Sequence, residues 1–246
     1  SERIEGDLYD TDFALSFEKA KLVDAAGKTL EIDDGRYEVD TSVDGDFVSI
    51  ALELGSGAVK GQSLEMLGGD LEAVHYDFTL RRLQTKTMAR LMTAIKDSYT
   101  TPPTPGDGAE VAAHGPIKQH VMELFRHDPE FAIDRIGLAT KEGDAYLKGT
   151  LRCRGVTDQD LEVGGLGLLA KVEADLTFEA PQGLVDKIEG GAGWAAQMIE
   201  QGVLVRQGDK LVSHLEYAAG ELKVNGKVQA IPGLGGPPPP APMAPE

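Results

Sequence analysis

Cysteine, basic residues and long apolar runs are scarce in this sequence of 246 residues. The single cysteine, Cys153, excludes an intrachain disulfide. Lysine and arginine number 24 against 41 aspartates and glutamates, and the net charge of −17 argues against a protein that binds nucleic acid or anionic lipid through its charge. The glycine- and leucine-rich stretch 164–170 is far shorter than the roughly 18 apolar residues that cross a bilayer.

What the sequence does contain is enough apolar material for a folded core. Hydrophobic residues make up 41% of the chain and charged residues 26%, a balance that is typical of a globular protein. Cys153 lies between Arg152 and Arg154 in a predicted strand. Two hypotheses stay open for it: a thiol made reactive by the flanking arginines, and a small core residue.

Residues 1–99 are predicted to form a first, strand-rich module that ends in a helix. Apolar and polar residues alternate along its strand candidates, and Asp-Gly pairs at 34–35 and 44–45 predict hairpin turns. Helical spacing then predicts a helix over 85–99. Its buried stripe is formed by Met88, Leu91, Met92 and Ile95.

Residues 100–115 are rich in proline and glycine and predict a linker. A second module of strands and helices follows over 116–232, and its first helix is expected to start near Pro116. The segments 74–80 and 172–178 resemble each other, and both a structural duplication and chance similarity stay open. The tail 233–246 holds six prolines and is predicted to be disordered.

Together these patterns predict an α+β fold. Most of it would be long antiparallel strands in a curved, twisted sheet, with three or four helices packed on the sheet. If the internal similarity reflects duplication, the fold contains two similar strand-helix modules.

No motif predicts a cofactor. Residues 165–170 match the pattern G-x-G-x-x-A, but a dinucleotide site needs a helix that opens at those glycines. The residues that follow alternate like a strand, so a glycine-rich turn between strands is expected. Residues 40–46 begin like an EF-hand loop, but Ala51 stands where a bidentate glutamate is needed. A hairpin turn is expected there as well.

No residue spacing predicts a metal site or a catalytic site. His120 and His127 are two helical turns apart, a rise of about 10.5 Å, which is too far for both to bind one ion directly. The serine-centred pattern G-x-S-x-G is missing, and the many acids produce carboxylate pairs by chance alone. We therefore assign no catalytic, cofactor or metal residues, and we expect the protein not to be an enzyme.

Four segments carry a family resemblance: 123–134 (ELFRHDPEFAID), 137–151 (GLATKEGDAYLKGTL), 201–205 (QGVLV) and 215–227 (LEYAAGELKVNGK). The last is the most specific, because it ends in a G-x-L-x-V-N-G-K hairpin. These segments resemble the YdgA-like bacterial envelope proteins, a family with a conserved domain of unknown function. The resemblance extends over residues 1–232 and is weaker before the linker.

The resemblance implies a location more than an activity. Similar family members are about twice as long and begin with a membrane anchor, so we expect this chain to be the C-terminal part of a protein that faces the periplasm and is anchored in the inner membrane. The first residues show neither a methionine nor a signal peptide, which fits a fragment or a processed chain. The family supplies no catalytic residues that could be carried over.

Two functional hypotheses of different class follow. The first is a non-catalytic envelope scaffold or interaction protein, whose partner is another envelope protein and whose exposed sheet edges leave a homodimer open. The second is lipid or amphiphile binding in an apolar groove of the sheet, and an uncovered apolar surface would favour it. The candidate groove residues, which suit an ordinary core equally well, are Met88, Leu91, Met92, Met122, Trp194 and Met198.

Overall fold

The computed structural model of the chain describes residues 2–61, 64, 69–100, 109–163, 165–188 and 191–230, without the side chains of residues 2, 109–114, 165 and 166. The predicted tail 233–246 and residues 101–108 of the predicted linker lie outside the described residues. No helix in the described part is long and apolar enough to cross a membrane.

Antiparallel strands dominate the described residues. A small two-stranded sheet pairs β1 (Glu2–Glu5) with β2 (Leu8–Asp10), and a second sheet has twelve strands. The strands of the larger sheet are β3 (Asp12–Val23), β4 (Thr29–Asp44), β5 (Phe47–Ser56), β6 (Val59–Gly61), β7 (Ala73–Gln84), β8 (Glu130–Thr140), β9 (Gly143–Cys153), β10 (Val172–Pro181), β11 (Val205–Gln207), β12 (Lys210–Ala218), β13 (Glu221–Val224) and β14 (Lys227–Gln229).

The order of the larger sheet is β3-β4-β5-β7-β8-β9-β10-β12-β13-β14, with β6 paired to β4 and β11 paired to β12. The sheet does not close on itself, so β3 and β14 are its two edges. The predicted α+β fold with a large antiparallel sheet is confirmed. Because β7 pairs with β8, the two predicted modules share this one sheet, and the division into modules stays a prediction.

Six α-helices accompany the sheet in the described residues: α1 (Thr85–Thr100), α2 (Ala109–Leu124), α3 (Asp158–Val163), α4 (Gly165–Leu169), α5 (Gln182–Lys187) and α6 (Gly191–Glu200). The three longest are α1, α2 and α6. At the start of α1, Gln84 Oε1 accepts hydrogen bonds from the Thr87 amide and hydroxyl at 2.8 and 2.7 Å, which occupies one of the unpaired donors of the first turn.

The two faces of the sheet differ in chemistry because side chains alternate along each strand. We call the face that carries Ile50, Leu52 and Leu54 the apolar face, and the face that carries Glu53, Asp77 and Arg135 the charged face. Residues opposite one another on paired strands share a face, so the strand register extends this assignment across the sheet.

Three buried clusters cover parts of the apolar face. The first joins Val48 and Leu83 of the sheet to Met88 and Leu91 of α1. The second joins Ala180 and Leu211 to helices α5 and α6 through residues that include Val185 and Ala195. The third packs Val59, Leu64 and Leu71 against partly buried residues of β4, β7 and β8. The covering elements are α1 in the first cluster, α5 and α6 in the second, and β6 in the third.

Three local predictions are corrected by the structure. The chain does not turn back at residues 34–35: β4 runs through them, and Asp34 instead has a left-handed φ of 51° inside the strand. Helix α2 begins at Ala109, so Pro116 lies inside it and not at its start. Residues 165–169 form the short helix α4 and not a turn between strands. Because α3 precedes α4, the strand-then-helix context of a dinucleotide site is still missing.

The other turn predictions are confirmed. The segment 40–46 contains the hairpin between β4 and β5, with Gly45 at φ 60°. Asn225 and Gly226 connect β13 to β14 with φ angles of 51° and 74°, as a two-residue hairpin turn of this type requires.

Candidate functional site

The six predicted groove residues fall into separate places. Met88 and Leu91 are buried and Met92 is half-buried in the cluster beneath α1. Met198 packs against the cluster beneath α6, Met122 is half-buried on α2, and the side chain of Trp194 is 48% exposed. The structure therefore brings together the three residues of α1 and places Met198 in another cluster. A groove formed by all six stays a prediction.

An uncovered apolar surface lies instead at the β3 end of the sheet. Leu15 is opposite Tyr37, Tyr37 is opposite Leu54, and Leu54 is opposite Tyr76. This row crosses four neighbouring strands, β3, β4, β5 and β7, on the apolar face. We call Leu15, Tyr37, Leu54 and Tyr76, together with Phe13 and Phe17 of β3, the apolar strip.

The strip is accessible to solvent along most of its length. The exposed fraction is 57% for Leu15 and 44% for both Leu54 and Tyr76. These side chains line an open cavity of about 300 Å³, together with Phe17 and residues that include Ile32, Val59 and Val74. The lining residues with polar side-chain groups are Arg36, Ser56 and the two tyrosines. The arrangement offers a large area of apolar contact and few groups that could direct a reaction.

The row of the strip continues beneath the helices. Tyr76 is opposite Ile136, which is opposite Leu147, and Leu147 is opposite Phe178. Phe178 packs against the same cluster as Met198 of α6. One end of the row therefore opens at the β3 edge of the sheet, and the other ends beneath α6.

Sequence patterns predicted the strands of the strip but missed its exposure. Apolar residues at every second position normally indicate a face that is buried, and Leu15 and Leu54 fit that pattern as well as Val48 does. Val48 is fully buried, whereas Leu15 and Leu54 are exposed, because the covering helix α1 packs at only one end of the face. One signal in the sequence could have indicated this exposure. The chain has too few amphipathic helix patterns to cover one face of a twelve-stranded sheet.

A histidine within hydrogen-bonding distance of a carboxylate in a cleft would be a feature of a catalytic site. His214 Nε2 lies 2.9 Å from Asp175 Oδ1, and the two side chains are 41% and 66% exposed. The pair stands on the charged face of the sheet, where Asp175 borders a shallow depression and His214 does not. In the described residues, no three His, Cys, Asp or Glu side chains are grouped closely enough to hold a metal ion.

Cys153 is buried, at 8% exposure, and burial raises the pKa of its thiol. The neighbouring Asp128 carboxylate raises that pKa further. Both effects disfavour the thiolate. Of the two hypotheses for Cys153, the structure supports the small core residue.

A comparison with protein families matches residues 2–231 to a bacterial protein family of unknown function, DUF945. The chain belongs to this family. The four sequence segments predicted membership of a bacterial family of unknown function, and this part of the prediction is confirmed. The narrower relationship to YdgA-like proteins stays a prediction. No curated protein and no solved structure matches the chain.

Proposed function

We propose that the protein is a non-catalytic binding protein that holds the alkyl chain of an amphiphile on the apolar strip. The observation that carries this proposal is the uncovered row from Leu15 to Tyr76. Three other parts of the same face are covered, and each holds a buried cluster. Exposed apolar surface of this kind marks a binding region in a soluble domain.

The shape of the strip suits an extended alkyl chain. The row crosses three inter-strand spacings of about 4.8 Å, a length of about 14 Å. A chain lying along it would contact one side chain of each strand in turn. Because the lining offers few polar groups, it would select for an apolar tail and not for a particular headgroup.

Charge favours a neutral or zwitterionic amphiphile over a second copy of the protein. Each copy carries a net charge of −17, so that two copies repel one another when they approach. The same charge opposes an anionic headgroup near the strip. A zwitterionic headgroup has no net charge, so the negative charge of the protein does not repel it.

A non-catalytic role is supported by the open position of the His214–Asp175 pair and by the chemistry of the strip. The family resemblance further supports a protein that faces the periplasm and is anchored in the inner membrane by a segment outside this sequence. A fusion of the full-length gene product to alkaline phosphatase would test this location, since the phosphatase is active only after export.

Titration with dodecylphosphocholine below its critical micelle concentration tests the binding proposal. We expect saturable binding to the full chain, seen as chemical-shift changes confined to β3, β4, β5 and β7. Leu54→Lys places a charge in the middle of the strip and should weaken binding at least tenfold, because losing a buried leucine contact costs about 1.5–3 kcal/mol. Leu15→Lys, at a more exposed position on the edge strand, should act in the same direction.

Val228→Lys is the matched control. Val228 is 62% exposed on β14, at the opposite edge of the sheet, and its substitution changes the net charge equally. The proposal fails if the detergent monomer does not bind, or if Leu54→Lys and Val228→Lys weaken binding to the same extent. Dimerisation of the unmodified chain that is lost in Leu54→Lys would show instead that the strip is a subunit interface.

An open sheet edge favours a second candidate, a scaffold that adds a partner's strand to β3. This strand has 12 residues, and all but Ala20 are exposed. The Thr41 amide donates to the Thr11 carbonyl at 2.8 Å. In an antiparallel ladder this contact directs the backbone groups of Asp12, Ala14 and Ser16 toward the open edge.

Substitution of Ser16 by proline tests this second candidate. Ser16→Pro removes a hydrogen-bond donor of the open edge and leaves the pairing with β4 in place. If the protein works as a strand-addition scaffold, the variant should migrate as the free chain in native electrophoresis of gently solubilised cells, while the unmodified protein migrates in a larger complex. Identical migration of the two would exclude the edge as the docking site.

A further inference from the structure

A second cavity lies on the charged face of the sheet, the face opposite to that of the apolar strip. Its volume is about 260 Å³, and it is lined by Arg82, Asp128, Glu130, Arg152 and Arg154. Three guanidinium groups face two carboxylates, which gives the lining a net charge of +1. This local excess of positive charge occurs in a chain whose net charge is −17.

Both carboxylates of the cavity are already engaged by protein groups. Glu130 Oε1 accepts a hydrogen bond from Arg81 Nη1 at 2.9 Å, and Glu130 Oε2 accepts one from Arg152 Nε at 2.5 Å. Asp128 Oδ1 accepts a hydrogen bond from the Gly155 amide at 2.8 Å. The acids therefore fix the geometry of the cavity and do not consume its remaining donors.

Each of the three arginines has a polar contact through its Nε atom. Arg82 Nε donates to the Asp128 carbonyl at 3.2 Å, Arg152 Nε to Glu130, and Arg154 Nε lies 3.0 Å from Glu173 Oε2. Within the described residues, the hydrogen bonds of Arg82 and Arg152 are made by Nε, and none is made by an Nη atom of the three arginines. Guanidinium groups anchored in this way are oriented in advance to bind an anion through the fork of their outer nitrogens.

The backbone at the cavity is strained at Arg82. This residue has a left-handed φ of 59°, a conformation that long side chains rarely adopt. The Arg82 guanidinium lies 4.9 Å from the centre of the Phe47 ring and beside the Asp128 carbonyl. Such strain persists where surrounding contacts enforce it, and it concentrates at ligand sites.

We propose that this cavity binds a phosphate group through Arg82, Arg152 and Arg154. A tetrahedral phosphate presents oxygens to donors on several sides, whereas a single carboxylate is satisfied by one guanidinium fork. The phosphate could be free, part of a small molecule or the headgroup of phosphatidic acid, since the recognised chemistry is the same. Because the cavity and the apolar strip lie on opposite faces of the sheet, the two sites are independent.

Arg82→Gly is the informative variant. Glycine adopts the left-handed conformation without strain, so that this substitution removes the guanidinium while the backbone is kept. Titration calorimetry of the full chain with inorganic phosphate measures the affinity. We expect phosphate to bind at least tenfold more weakly to Arg82→Gly than to the unmodified protein. The urea midpoint of the variant should be unchanged or higher. Arg206→Gln, at an exposed residue of β11, changes the net charge equally and should alter phosphate affinity by less than twofold.

Vesicles distinguish the two sources of phosphate. Binding to phosphatidylcholine vesicles that contain phosphatidic acid, weakened by Arg82→Gly but not by Arg206→Gln, would identify a lipid headgroup. Binding of inorganic phosphate with the same dependence, and no binding to vesicles, would identify a small phosphate compound. The proposal is overturned if neither probe binds saturably, or if Arg82→Gly and Arg206→Gln have equal effects.

Discussion

The ring of Phe17 lies over the backbone of Gly35, on the strand next to its own. The two residues are directly opposite in the register of β3 and β4, and a Cβ atom built on Gly35 would overlap the ring. Gly35 is therefore the place where the aromatic side chain settles against the sheet at the open end of the apolar strip. The glycine that the sequence suggested as part of a turn instead makes room for a ring.

A pair of glycine substitutions separates a side-chain obstacle from a backbone obstacle. In Gly35→Ala the new methyl group meets the tip of Phe17, which is 42% exposed and free to swing outward. We expect a cost below about 1 kcal/mol in the free energy of unfolding. In Gly149→Ala the methyl group meets the Asp175 carbonyl, and the φ of 144° is itself unfavourable for alanine. There we expect a cost of at least about 2 kcal/mol. Urea unfolding would measure both, and equal costs would contradict the packing described for Phe17.

Asn225 supports the hairpin between β13 and β14 in two ways. Its Nδ2 donates to the carbonyls of Gly202 and Val203 at 2.9 and 3.0 Å, and its Oδ1 accepts from the His214 amide at 2.9 Å. Asn225→Gly keeps the left-handed backbone and loses these bonds, at an expected cost of about 1–3 kcal/mol. Asn225→Ala should cost about 1 kcal/mol more because alanine is strained there. Thermal unfolding of both variants would measure the difference, and Asn225→Ala at least as stable as Asn225→Gly would contradict it.

The burial of Cys153 predicts a thiol that does not react in the folded protein. Because its pKa is raised by burial and by Asp128, the thiolate is rare at neutral pH as well as shielded. We expect a disulfide reagent such as dithionitrobenzoate to label Cys153 only after denaturant has unfolded the chain. Rapid labelling of the native protein at pH 7 would restore the reactive-thiol hypothesis.

The sequence predicts elements that local chemistry determines. Asn225 and Gly226 form the expected hairpin because few residue pairs tolerate two left-handed φ angles. The helix predicted over 85–99 is α1, since its apolar stripe needs burial regardless of the partner. The same alternation in β3 and β5 could not show that Leu15 and Leu54 are uncovered, because exposure depends on where distant helices pack.

The arginine cavity lies beyond sequence prediction for a similar reason. Arg82 and Arg152 are 70 positions apart in the chain, and only the order β7-β8-β9 brings them to one cavity. Asp34 shows the opposite limit. Its tolerance of a left-handed φ was visible in the sequence, but that φ occurs here inside the continuous strand β4 and not in a turn.

Glu130 makes the stability of the protein depend on pH. Its side chain is 13% exposed and lies between Arg81 and Arg152. Burial pushes the pKa of Glu130 upward, but the hydrogen bonds from Arg81 and Arg152 outweigh this effect and leave the pKa below its ordinary value of 4.5. A carboxyl group with a lowered pKa in the folded state stabilises that state above the pKa of the unfolded chain. This stabilisation is lost as the pH falls through the folded-state pKa, where the unfolded chain binds more protons.

Glu130→Gln removes the charge and should lower the free energy of unfolding at pH 7 by about 1–3 kcal/mol, since hydrogen bonds to charged groups contribute about that much. The glutamine also turns an amide donor toward one of the two guanidinium groups. We expect the difference between the unmodified protein and Glu130→Gln to be constant from pH 7 down to about 5.5 and to shrink below about 4.5. Urea unfolding across this range would measure it. Glu53→Gln, at a side chain that is 56% exposed, is the matched control and should follow the unmodified protein closely, because an exposed ion pair contributes little. If the difference in unfolding free energy between the unmodified protein and Glu130→Gln is the same at pH 7 and pH 3.5, the two arginines do not stabilise the carboxylate.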